Sequence, residues 1–120
     1  MEKDLFGICP FVTAQKILTG KWTLLIMHHL NEKTLRFSEL QRILPHLTQS
    51  TLTKQLRMME GNGLVIRTVY NQVPPKVEYS LSDLGHEFKP VLSTLETWGN
   101  KYLDFLKNTK TLPEEILEDN

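Results

Sequence analysis

FSELQRILPHLTQSTLTKQLRMMEGNGLVIRTVYNQVPPKVEYSL, residues 37–81, reads as two short helices joined by a tight turn and followed at once by a β-hairpin. The first helix is expected over Ser38 to Leu44. Ser38 is its predicted cap, Glu39 suits the positive end of the helix dipole, and Leu40, Ile43 and Leu44 fall on one face. Pro45 ends it. Thr48 is the predicted cap of a second helix through about Asn62, in which Leu52, Leu56 and Met59 recur at i, i+4 and i+7 and must pack inward, with Gly63 as the stop. The opposite face carries Gln49, Ser50, Thr53, Lys54 and Arg57. Short hydrogen-bonding groups near the amino end and two cations further along suit the DNA major groove, where amides and hydroxyls read base edges and cations hold phosphates. Any soluble helix also needs a polar outer face, so this face needs support from its neighbours in sequence.

That support comes from the residues that follow. Leu64 to Asn71 and Lys76 to Leu81 are rich in β-branched and aromatic residues, and Gln72-Val73-Pro74-Pro75 lies between them. Two prolines forbid a regular ladder, so the tip is expected to be a stiff, protruding loop flanked by Arg67 and Lys76, able to reach the phosphate backbone or the minor groove. Helix, turn, helix and hairpin in this order make a winged helix-turn-helix. The expected fold class is mainly α with a small β-hairpin wing.

Working outward, 120 residues of 40% hydrophobic content suffice for one modest domain, placed at residues 1–110 with a polar tail at 111–120. The helix-turn-helix occupies 38–62 and the wing 64–81. Net charge is zero, which on its face argues against nucleic acid, but the charge is unevenly distributed. Residues 10–79 hold nine basic against four acidic side chains, residues 80–120 four against eight, and residues 1–9 one against two. The basic excess coincides with the predicted DNA-binding unit. The sequence has no secretory signal, no apolar run near 18 residues and no nucleotide-binding glycine pattern, so a cytoplasmic protein with no membrane partner is expected.

Two further helices are expected upstream, at 10–18 and from Trp22 to Leu30, separated by Thr19-Gly20-Lys21. Leu25, Ile26 and Leu30 continue a stripe from Trp22, so this pair should close the back of the core. Leu35-Arg36-Phe37 offers a short third strand. After Ser82, a cap, an amphipathic stretch runs to about Leu106, with Phe88, Val91, Leu92, Leu95, Trp98, Tyr102, Phe105 and Leu106 recurring every three or four residues. Pro90 should kink or divide it. A small winged domain cannot cover so long an apolar stripe, and a second copy is the economical partner; the competing expectation folds the helix back on its own domain. A homodimer through segment 82–106 and helix 10–18 would set two recognition helices about 34 Å apart, or a multiple of it, on a palindromic operator in double-stranded DNA.

The ordered motifs Cys9-Pro10, Gly20-Lys21-Trp22, Arg36-Phe37-Ser38-Glu39-Leu40, Leu52-Thr53-Lys54-Gln55-Leu56-Arg57, Gly63-Leu64-Val65 leading into Arg67, Val73-Pro74-Pro75-Lys76-Val77-Glu78-Tyr79-Ser80-Leu81 and Leu84-Gly85 resemble the HxlR family of bacterial winged-helix transcriptional regulators, within the broader MarR-like group. The resemblance runs over about residues 8 to 106. It implies a homodimer built from terminal helices, the helix after Thr48 in the major groove and the Pro74-Pro75 hairpin as wing. Several regulators of this type use a cysteine at the place of Cys9 to sense quinones, aldehydes or reactive chlorine and oxygen species.

Cys9 is the sole cysteine, which excludes an intramolecular disulfide and a metal site of several thiolates. As a free thiol it reads either as a small buried hydrophobe or, immediately before Pro10, as a sulfur at the positive end of a helix dipole, where thiolate is favoured. Oxidation would then link two Cys9 residues across a dimer or cap each with a small thiol. The histidines make no metal site: His28 and His29 point about 100° apart on a helix, His46 falls in the turn and His86 in the terminal helix. No catalytic constellation or cofactor is indicated.

The expected function is therefore a dimeric, sequence-specific DNA-binding regulator, more in keeping with a repressor, with an oxidant or small-molecule effector left open. Lys54 and Arg57 are expected on phosphate or guanine, Gln49, Ser50 and Thr53 on bases, and Arg36, Arg67 and Lys76 on the flanking backbone. A winged-helix protein-interaction module and a small thiol enzyme built on Cys9 are the rival classes.

Overall fold

The chain turns directly from a two-residue strand into its first helix-turn-helix segment, and that junction organises everything after it. The computed structural model describes residues 4–109. Their order is α1 (Pro10–Ile17), α2 (Thr23–Glu32), β1 (Leu35–Arg36), α3 (Phe37–Ile43), α4 (Gln49–Gly61), β2 (Val65–Tyr70), β3 (Lys76–Leu81), α5 (Asp83–Glu87) and α6 (Lys89–Thr109). The expected tail at 111–120 lies outside the described residues.

Ser38 does not cap α3. The helix begins one residue earlier, at Phe37, because β1 pairing carries Arg36 to its mouth in an extended conformation, and the Arg36 N–H donates to the Glu39 carboxylate at 2.8 Å. A carboxylate reaching back from the third helical position takes the N–H of the cap residue itself, which closes this end of the helix without Ser38. Thr48, by contrast, does cap α4: its hydroxyl accepts from the Thr51 N–H at 3.0 Å. Gly63 follows the helix at φ 78°, a left-handed conformation that only glycine adopts without cost.

The sheet is antiparallel, in the order β1-β3-β2. Leu35 opposes Tyr79, Val65 opposes Leu81 and Arg67 opposes Tyr79, so these side chains share the face toward the helices. Buried Ile26, Met27, Leu30, Leu35, Leu40, Leu44, Leu47, Leu52, Leu56, Met59, Leu64, Val65 and Leu81 form one core. Leu52, Leu56 and Met59 enter it as their spacing requires. Behind them the Gln55 amide donates to the Thr23 hydroxyl at 2.7 Å, a buried bond that ties α4 to α2. Gly85 lets α5 close on the sheet, since a β-carbon there would run into the Leu64 carbonyl.

Two expectations of packing are corrected, and the expected division of the terminal stretch is located. Leu25 faces outward rather than continuing the buried stripe of α2, where Met27 takes the inward place beside Ile26 and Leu30. Met27 and Ile26 are adjacent, and the helix rolls to bury both, leaving Leu24 and Leu25 on the rim of an open groove of about 550 Å³ against Leu92 and Leu95 of α6. Helix α1 buries no residue fully and leans on the core only through Ile17 and, just past its end, Leu18, so it closes little of the back. The terminal stretch divides at Phe88, before Pro90; the proline stands second in α6, in a first turn where its missing N–H costs nothing. Of α6, only Leu106 is buried, with Leu92 leaning on the core, while Val91, Leu95, Trp98, Tyr102 and Phe105 remain exposed. Among the described residues, no helix is long and apolar enough to cross a membrane.

Candidate nucleic-acid interface

On α4, Gln49, Ser50, Lys54 and Arg57 are exposed and Thr53 is half-buried. Burial of Leu52, Leu56 and Met59 on the other side fixes that presentation, because rolling the helix would expose the leucines. The Thr53 hydroxyl donates to the Gln49 carbonyl one turn back at 2.8 Å, so its proton is already engaged. What Thr53 offers outward is a lone pair and a methyl group.

The sheet separates the three cations expected to act together. Arg67 lies on the helix-facing side, where it lines a groove of about 330 Å³ with Thr53, Arg57, Glu60 and Tyr79. Arg36 and Lys76 lie on the other side, since Arg36 opposes Glu78 and Lys76 opposes Tyr70. Helix α4 therefore shares its groove with Arg67 alone of the three.

Lys76 is held within the wing. Its ammonium sits 3.3 Å from the Glu78 carboxylate and 4.8 Å from the centre of the Tyr70 ring. A hydrogen bond between Tyr70 and Glu78 holds the Glu78 carboxyl below its usual value, helped by Lys76 and by Arg36. The same bond raises the Tyr70 phenol. Glu78, Tyr70, Glu60 and Tyr79 were not singled out from sequence. For Glu78 a signal existed, since residues two apart in a strand share a face and opposite charges there pair. The wing tip itself projects freely: Val73 is fully exposed beside a cis Val73–Pro74 bond.

Cys9 occupies the cap position of α1, partly exposed, with Pro10 as the first helical residue. Its N–H donates to the Leu5 carbonyl at 2.8 Å and its carbonyl accepts from the Thr13 N–H at 2.9 Å. Histidines 28 and 29, expected to diverge, meet edge-on with ring centres 5.1 Å apart, and burial together with His28 lowers His29. His46 packs against Trp22, ring centres 4.8 Å apart, and His86 lies in α5. Among the described residues no group of three His, Cys, Asp or Glu side chains is placed to hold a metal ion.

Residues 17–107 match the HxlR-like helix-turn-helix family. The uncharacterized helix-turn-helix-type transcriptional regulator YdeP of Bacillus subtilis is 45% identical over 103 residues, 86% of this chain and 80% of YdeP. Among solved structures, the redox regulator HypR in its reduced form superposes with a TM-score of 0.78 at 40% identity, over 83% of this chain and 99% of HypR. The reduced transcriptional regulator YodB of B. subtilis does so at 0.71 and 30% identity, over 79% of this chain and 94% of YodB. The family match over most of the chain, together with these relatives, shows that the chain belongs to the HxlR-like helix-turn-helix family of transcriptional regulators.

Proposed function

We propose that this protein is a cytoplasmic, homodimeric repressor that reads a palindromic operator and acts by occupancy rather than by catalysis. The observation that carries the reading is the joint placement of an exposed α4 face, Gln49, Ser50, Thr53, Lys54 and Arg57, with Arg67 in the adjoining groove and a projecting wing beside it. Gln49 and Ser50 serve as base readers, Thr53 as an acceptor or methyl contact, and Lys54, Arg57 and Arg67 as phosphate or guanine ligands. Arg36 and Lys76 approach the backbone from the other face of the wing. The second copy covers α6, where Trp98 and Phe105 are 61% and 54% exposed, together with α1, where Phe11 is 84% exposed.

Cys9 is the proposed sensor. The thiol stands partly exposed at the amino end of α1, and the similar HypR is named a redox regulator. Joining Cys9 to its symmetry mate through a disulfide, with two electrons passing to an oxidant, would tilt the two reading heads.

Selection of genomic fragments by the purified protein, then gel-shift titration under reducing and oxidising conditions with Cys9→Ser alongside, tests the whole reading. A palindromic site released by oxidant only when Cys9 is present is expected. Redox-independent binding removes the sensor, and the absence of any enriched fragment removes the operator.

A further inference from the structure

We propose that Glu78 is an internal competitor for DNA phosphate at the wing, setting how readily Lys76 engages the backbone. On the outer face of the sheet Arg36, Glu78 and Thr68 stand abreast across three strands, and Lys76 stands beside Tyr70. The Glu78 carboxylate receives the Lys76 ammonium at 3.3 Å, and the Tyr70 ring lies under that ammonium at 4.8 Å. Tyr70 also favours the charged form of that carboxylate, which keeps it an anion beside Lys76. Neither charged side chain swings freely: Lys76 is 28% and Glu78 22% exposed.

A carboxylate and a phosphodiester present the same kind of anionic oxygen to an ammonium. Lys76 must therefore leave Glu78 to reach DNA, and Glu78 faces the backbone it has been left for. Both costs are paid on any sequence, so Glu78 lowers affinity uniformly and leaves discrimination to α4. An ion pair of this exposure supports a modest effect, about two- to fivefold in affinity.

This inference rests on the wing reaching DNA, and the test separates the two. Dissociation constants for the full-length protein are measured on one selected duplex and one unrelated duplex, for wild type, Glu78→Gln, Lys76→Met and the double variant. Glutamine keeps the size and an oxygen for the Tyr70 hydroxyl; Glu78→Thr, which suits a strand, repeats the charge removal should the amide disturb the fold. Expected is about two- to fivefold tighter binding of Glu78→Gln on both duplexes, lost when Lys76 is methionine. Tightening that persists in the Lys76→Met background is a general field effect and overturns the competition, as does unchanged or weaker binding by Glu78→Gln. If Lys76→Met alone leaves affinity unchanged, it is the wing contact that fails.

Discussion

Helices α4 and α6 carry similar amphipathic patterns and meet opposite fates. On α4 the apolar side is fully consumed within the chain: Leu52, Leu56 and Met59 are essentially inaccessible, and even Gln55 is spent on Thr23. On α6, a helix of 21 residues, Leu106 alone is buried. A helix whose apolar face is satisfied internally has only its polar face left to use, and here that face is suited to DNA. A helix whose aromatic face stays open has its own chain to one side and needs something else on the other. Trp98 and Tyr102 stack at 5.5 Å and Tyr102 meets Phe105 at 5.4 Å, so the open face is a continuous aromatic ridge.

The contrast breaks first if α4 can lose a buried residue without cost. Leu52→Ala removes a fully buried side chain from the centre of the core and is expected to cost about 2–5 kcal/mol of folding stability. Urea denaturation followed by circular dichroism reads this directly. A loss below about 1 kcal/mol would mean that the core collapses around the gap and that α4 is not clamped.

The corresponding change on α6 should act on assembly and spare the fold. Trp98→Glu places a charge on the aromatic ridge at a site that is 61% exposed in the single chain. Self-association is expected to weaken by at least about 2 kcal/mol, the loss typical of a central aromatic at an interface. Sedimentation equilibrium measures the monomer fraction, and circular dichroism on the same sample verifies that helix content holds. Unchanged self-association would place the dimer contact elsewhere, and a collapsed spectrum would mean that Trp98 supports the fold of its own chain.

Much of this contrast was legible in the sequence because it rests on spacing. The i, i+4, i+7 run of α4, the Thr48 cap and the Gly63 stop are local signals, and so is the stripe of α6 that outgrows a small domain. What escaped depends on strand register. Arg67 and Lys76 stand on opposite faces because Tyr70 pairs with Lys76; a shift of one residue would have brought them together, and the Val73-Pro74-Pro75 turn that fixes the register has no simple rule. Arg36 takes the cap that local sequence assigns to Ser38 because β1 delivers it to the helix already extended, and Glu39 completes the end from inside. Leu25 lies outside the buried stripe because Ile26 can share that stripe with the residue on either side of it, and packing against α4 and the sheet selects Met27.

The smallest effect concerns the polar bond buried between α2 and α4. Thr23 is wholly buried and Gln55 is 8% exposed, so neither has water to fall back on if the 2.7 Å bond is cut. Gln55→Leu leaves the Thr23 hydroxyl unpaired and is expected to cost about 1–3 kcal/mol; Thr23→Val leaves the Gln55 amide unpaired at a similar cost. Combining the two replaces both partners with apolar groups, and the double variant should recover most of the loss. The cycle therefore separates a stabilising bond from a positioning one. If the double variant regains stability but binds its operator more weakly, the bond's role is to set the pitch of α4 in the groove. If stability and affinity return together, apolar packing alone holds the recognition helix at its angle, and the two helices contrasted above differ only in how much of their surface the chain covers.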